Sequence, residues 1–253
     1  MAMGLRPLDM DRWLEIDERR EEELELKADL LASTRDVVVA TRPEGDAPSE
    51  ELHREVCAWL DAHGVPAARP VVTGDHPVVS AARLVQEDLC VLVRDDVWRL
   101  QAACVCFPSR WSLATKIGRS LDEIHSPIPG YATTLAGPTN GVFDRMTPER
   151  SFWRLNWTVI DDPALHQPHA PAALAPDDID QWYFRVERQT IRRLVETGAV
   201  VFTIHNYVSS VADLRSRPEF LEHLLLGIDG APVAMQEYKG WVGVAQRLRD
   251  AIA

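Results

Sequence analysis

Residues 108 to 130 read PSRWSLATKIGRSLDEIHSPIPG and deliver one histidine, His125, onto a stiff piece of backbone. Ser120 followed three residues later by Glu123 is a capping-box spacing, which predicts a short helical turn over 121–124 with its first amides satisfied by side chains. His125 closes that turn. Pro127 disfavours helical geometry at Ser126, and Pro129 with Gly130 adds a second bend, so the chain leaves the turn with little freedom to fray. An imidazole held this way suits ligation of a metal or of haem iron, which needs a fixed ring direction and a partner on the other ring nitrogen. The simpler role for the same residue is to offset the carbonyls at a helix end.

The second segment with chemistry in it is FRVERQTIRRL, residues 184–194, which concentrates Arg185, Arg188, Arg192 and Arg193 in a chain of formal charge −12. On a strand, Arg185, Glu187, Gln189 and Arg193 share one face while Arg188, Thr190 and Arg192 share the other. Arginine makes bidentate contacts with carboxylates, haem propionates among them. An internal ion-pair network with Glu187, Asp161 or Asp162 is the alternative. Arg154 and Asn156, on the polar side of a neighbouring strand, add donors to the same region, and His205 in VVFTIHNYV is placed to face it. Trp111, Trp153, Trp157, Trp182 and Phe107 supply apolar walls or core. His166 and His169 sit in a loop where a surface role is expected, and His53, His63, His76 and His223 have no supporting context. No HExxH, GxSxG, GxxxxGK[ST] or GxGxxG occurs, which removes motif-based zincin, nucleophile-elbow, P-loop and Rossmann readings.

The elements that must position these groups follow from periodicity. An amphipathic helix is predicted over 11–32, with the acids of 18–27 (ERREEELELK) on a solvated face and Trp13, Leu14 and Leu24 inward. A short strand is expected over 37–40, and a helix with Ser49 as N-cap that buries Leu52, Val56, Trp59 and Leu60 and stops at Gly64. From residue 89 the pattern turns to β. Strands over 89–93 and 97–107 are joined by the turn Arg94-Asp95-Asp96. Short helices follow over 109–150, then a cleanly alternating strand over 152–160, a Pro-rich ordered loop over 161–176 holding Leu165 and Leu174, a strand over 181–194, a turn with Gly198 left-handed, and a strand over 199–208. The remainder is helical, with Phe220, Leu221, Leu224 and Leu225 as an apolar stripe.

The predicted fold class is therefore α+β: a PAS-like five-stranded antiparallel sheet with helices between strands 2 and 3 and helical extensions over 1–83 and 209–253, forming a single domain over 1–253 with its core at about 84–208. The acidic balance argues against nucleic acid and against anionic membrane surfaces as partners. No window approaches a membrane span and no secretory signal is visible, so a cytoplasmic protein with free thiols is expected. Cys57, Cys90, Cys104 and Cys106 lack metal-ligand spacing, and Cys104 and Cys106 read as small core residues on one side of a strand.

Several segments taken together resemble the haem-dependent oxidative N-demethylases, which include the haem subunit of dimethylamine monooxygenase: VQEDLCVL at 85–92, FPSRWSLATKIGRSLDEIHSPIPGY at 107–131, RLNW at 154–157, RVERQTIRRL at 185–194 and VVFTI at 200–204. The resemblance implies a PAS-like haem domain in which haem b activates dioxygen and oxidises the N-methyl group of a small secondary amine, releasing formaldehyde. It makes His125 the iron ligand and Glu187, Arg188 and Gln189 candidate catalytic groups, with Arg154, Asn156, Arg185, Arg192, Arg193 and His205 around the cofactor. Electrons would come from a separate reductase, and a homo-oligomer is compatible with the reading. Val195 and His205 depart from the proline and arginine expected in relatives, which points to a pocket retuned for another substrate. Two other functions fit the same sequence: a haem-binding gas sensor or carrier without turnover, and a haem-free PAS-like scaffold for an organic acid.

Overall fold

The alternation of Trp153, Leu155, Trp157 and Val159 with Arg154, Asn156 and Thr158 is realised as a nine-residue strand, Phe152–Ile160. The computed structural model describes residues 4–66, 72–170, 178–214 and 216–252. Seven strands form one open antiparallel sheet: β1 Arg6–Pro7, β2 Val39–Thr41, β3 Asp88–Arg94, β4 Trp98–Cys104, β5 Phe152–Ile160, β6 Tyr183–Arg193 and β7 Val200–Ser210. Their order across the sheet is β1-β5-β6-β7-β3-β4-β2. The five strands expected from the sequence are its middle, and the count is corrected to seven by β1 on β5 and β2 on β4. Both additions are edge strands too short to show alternation, and Pro7, which has no N–H to donate, is tolerated at such an edge. Long ladders hold the centre. β5 pairs with β6 along its whole length, Arg154 opposite Gln189 and Asn156 opposite Glu187, and β6 pairs with β7 from Tyr183 opposite Ser210 to Arg193 opposite Val200. Gly198, at φ +67°, provides the left-handed residue of the β6–β7 turn.

Each face of the sheet buries a different set of helices. Leu89, Val91, Ala102, Cys104 and Val201 pack with Leu52, Val56, Leu60 and Val78 of the helices Asp46–Ala62 and Pro77–Ala82. On the other face, Cys90, Leu92, Ile191 and Val200 pack against Leu121 and Phe143, carried by the helices Leu121–His125 and Ala136–Arg145 that lie between β4 and β5. A register shift at Val91/Leu92 turns the distal half of the β3–β4 hairpin so that Trp98 and Leu100 join this second core. A third core gathers Val159, Trp182 and Phe184 with Leu221, Leu224, Ile228 and Trp241 from the C-terminal helical section. No helix of the described residues is long and apolar enough to cross a membrane.

Several local expectations are corrected. In place of one helix over 11–32 there is a 3-10 turn, Met10–Arg12, and a helix, Arg20–Ser33. Glu23 and Lys27 of its acidic run are buried, not solvated. Lys27 donates to the carbonyls of Val85 at 2.9 Å and Glu87 at 2.5 Å, and so ties the helix to the start of β3. Ser49 lies inside the helix Asp46–Ala62 and its hydroxyl donates to the Gly45 carbonyl at 2.6 Å, so it caps nothing. The strand expected over 37–40 begins only at Val39, after a helical turn Arg35–Val38. Of the Pro-rich loop, Leu165 is buried, while Leu174 falls outside the described residues. Cys104 and Cys106 are buried free thiols 3.9 Å apart.

Candidate functional site

Ser120 and Glu123 form the capping box the sequence predicts. The Ser120 hydroxyl accepts from the Glu123 amide at 3.2 Å, and the Glu123 carboxylate accepts from the Ser120 amide at 2.8 Å. The resulting helix, Leu121–His125, ends on a half-buried His125. Two contacts fix the ring. Nδ1 lies 2.8 Å from the Leu121 carbonyl oxygen, which can only accept, so Nδ1 carries the proton and Nε2 the lone pair. Tyr131 stacks on the imidazole with centroids 4.9 Å apart and planes 18° apart. Tyr131 itself is placed by Gly130, left-handed at φ +73°, at the entry of a wide π turn, Tyr131–Leu135. Burial pushes the His125 pKa down, the Leu121 bond opposes this, and the charges of Lys116 and Arg154 push it further down. A neutral ring with one nitrogen tied and the other free is the form that ligates iron.

Opposite this helix, the sheet face shared by β5 and β6 carries Arg154, Asn156, Glu187 and Gln189. Glu187 is buried, and two amide donors converge on one of its oxygens: Asn156 Nδ2 at 3.0 Å and Gln189 Nε2 at 2.8 Å, both to Oε2. Its other oxygen accepts no hydrogen bond among the described residues. Arg154 lies close enough to both His125 and Glu187 for their charges to interact. Its Nε is buried without a hydrogen-bond partner among the described residues, and burial lowers its pKa while Glu187 partly restores it. A buried guanidinium Nε–H without a hydrogen-bond acceptor is costly, so this position suits an anionic ligand such as a haem propionate.

The structure thus sets Arg154, Asn156, Glu187 and Gln189 on one sheet face, with His125 near enough to Arg154 for their charges to interact. It does not bring the others into this group. Arg188, Arg192 and His205 point to the opposite face, as the period-two pattern requires. There Arg188 pairs with Glu15 at 2.9 Å, Arg192 pairs with Glu55 at 2.5 Å and lies over the Trp13 ring, and His205 lies 3.2 Å from Asp17 and 3.6 Å from Glu87. These groups tie the N-terminal section to the sheet. Arg185, on the same face as Glu187, is satisfied by Asn206 at 3.1 Å and by the carbonyls of Leu165 at 3.0 Å and Phe107 at 2.6 Å, so it braces a loop. Arg193, at the far end of β6, donates to the Met146 carbonyl at 3.1 Å and lies over Trp98.

Sequence reasoning missed Lys239 and Tyr238. Lys239 donates to Asn156 Oδ1 at 2.9 Å, and the Glu187 charge raises the pKa of both residues. Their only signal in the sequence is a lysine set among aromatics in YKGW, far along the chain from the strands it meets. Two concavities lie elsewhere: one of about 410 Å³ beside Arg110, Asp161 and His166, and one of about 600 Å³ at the end of β7 beside Ser210 and Arg217. Neither includes a member of the His125 group. In the first, Arg110 is already paired with Asp161 and Gln167.

The model of one protein family, described as haem-dependent oxidative N-demethylase, alpha subunit-like, matches residues 63–249. That span contains the whole His125 group together with Lys239, and it covers well over half of the chain. The chain therefore belongs to the haem-dependent oxidative N-demethylase, alpha subunit-like family.

Proposed function

We propose that the protein is a haem-dependent monooxygenase that removes the N-methyl group of a small secondary or N-methylated amine as formaldehyde. The observation that carries this reading is the His125 ring, locked by the Leu121 carbonyl and by Tyr131, with no partner at Nε2 among the described residues and with Arg154, whose buried Nε has no hydrogen-bond partner among them, close enough for their charges to interact. In this reading His125 holds the iron of haem b and Arg154 takes a propionate. When bound and reduced by a separate reductase, haem supplies dioxygen activation. Glu187 takes the amine: Asn156 and Gln189 hold one of its oxygens, and the other accepts a proton from the ammonium, leaving a neutral amine with its lone pair available. The strand order β4-β3-β7-β6-β5, with its intervening helices between the second and third of these strands in sequence, supports describing the core as PAS-like, with residues 1–253 as one haem-binding unit. A cytoplasmic location, with the four cysteines as free thiols, belongs to the same reading.

The test is formaldehyde release from dimethylamine by the haem-loaded protein with dioxygen and a surrogate reductase. Stoichiometric formaldehyde and methylamine are expected. A reduced protein that forms a lasting dioxygen complex and consumes no amine would instead make it a gas carrier or sensor.

A further inference from the structure

Lys239 follows the short helix Val233–Tyr238 in the C-terminal section, remote in sequence from every strand. Its Nζ donates to Asn156 Oδ1 at 2.9 Å and to the Trp157 carbonyl at 2.7 Å. It lies 5.1 Å from the centroid of Trp241 and 6.0 Å from that of Trp157, two rings stacked 4.4 Å apart. Trp241 Nε1 donates to Thr158 Oγ1 at 3.2 Å, so the segment is fastened to β5 on both sides of Trp157. Asn156 is the link to Glu187. A carboxamide has an oxygen that only accepts and a nitrogen that only donates, and a half-turn about its terminal bond exchanges them. An ammonium offers donors alone. With Lys239 on Oδ1, the Asn156 nitrogen must face Glu187, where it meets Oε2 at 3.0 Å. Without the ammonium, Glu187 alone would oppose the half-turn that sets the carbonyl oxygen against the carboxylate, and the Asn156 oxygen would lose its charged donor.

We propose that Lys239 is a positioning residue of the amine site: by fixing the orientation of the Asn156 amide it holds one Glu187 oxygen in place and keeps the other available to a small ammonium ligand. The inference rests on the reading of Glu187 as the amine acceptor. Burial brings the lysine pKa down to about 8, with Glu187 pulling it up and Arg154 pushing it further down, so the ammonium form is present at neutral pH.

The full-length, haem-loaded protein is titrated with dimethylamine and binding is read from the haem absorption and by calorimetry. Unfolding midpoints are measured alongside. Lys239→Met is expected to raise Kd about tenfold, the loss of one charge-assisted hydrogen bond, while Lys239→Arg stays within about threefold of wild type. In an Asn156→Ala background, Lys239→Met should add nothing, because the lysine acts through that amide. Should Lys239→Met fail to fold, Lys239→Gln, which keeps a donor without the charge, is read in the same double-variant cycle. Losses that add fully, or a lowered midpoint with unchanged Kd, would reduce Lys239 to a clamp on the β5 edge and overturn the proposal. If Glu187→Gln weakens binding while Lys239→Met does not, the positioning role alone falls. If Glu187→Gln binds amine as wild type does, the reading of Glu187 falls and the proposal with it.

Discussion

Replacing Glu187 by glutamine changes little in volume and much in charge. Both amide donors, Asn156 Nδ2 and Gln189 Nε2, point at Oε2, so the new carboxamide must put its oxygen there. Its NH₂ group then takes the position of Oε1 and presents hydrogens to an incoming ammonium. The ligand loses a buried charge partner and meets a donor in its place, with Arg154 and Lys239 left uncompensated nearby. Truncating one partner of a buried, hydrogen-bonded charge pair costs about 2–5 kcal/mol. Even the lower end corresponds to roughly a 30-fold rise in Kd. The assay is a titration of the haem-loaded variant with dimethylamine, monitored by haem absorption and checked against formaldehyde yield at saturating amine. Haem should still load, since the His125 and Arg154 side chains are themselves kept. A Kd within about threefold of wild type would refute the assignment of Glu187 to the amine.

Arg154→Met keeps the apolar stem and removes the guanidinium. Haem affinity should fall about tenfold or more if a propionate is its partner, and equilibrium loading monitored by absorbance tests this against the alternative of unchanged affinity. His205 is fully buried on the other face; burial opposes its charge, but attraction from the carboxylates of Glu87, Glu23 and Asp17 outweighs this and raises its pKa above 6.5. Its stabilising contribution is therefore complete below about pH 6.5 and is lost as pH rises through the raised value. Unfolding midpoints from pH 6 to 9 should fall in wild type and fall less in His205→Gln; parallel profiles would contradict the ion cluster.

What was legible in the sequence is what local physics decides. The capping box at Ser120 and Glu123, the alternation through β5 and the split of the β6 arginines between two faces each follow from periods and caps, and each is found. The unread parts depend on partners distant in sequence. Nothing local says that Arg188 meets Glu15, that Arg192 meets Glu55 or that His205 sits among Asp17 and Glu87, because Glu15, Asp17 and Glu55 arrive from the N-terminal section and Glu87 from the residue before β3. Grouping every arginine of one strand around a single pocket ignored that two faces bury two environments. Lys239 was invisible for the same reason: its meaning is set by Asn156, more than eighty positions upstream. Glu23 and Lys27 lie within a run of charges, and the Gln86 side chain and Arg19 for the one, the carbonyls of Ala82, Val85 and Glu87 for the other, make their burial tolerable.

Everything proposed for the site depends on His125 as the iron ligand. The most direct measurement is the absorption spectrum of the purified protein with haem supplied, in the ferric and ferrous states, beside that of His125→Ala with and without added imidazole. A Soret band that shifts in the variant and returns toward the wild-type position with imidazole is the predicted result. A wild-type protein with no Soret band, or a band indifferent to the loss of His125, would contradict it.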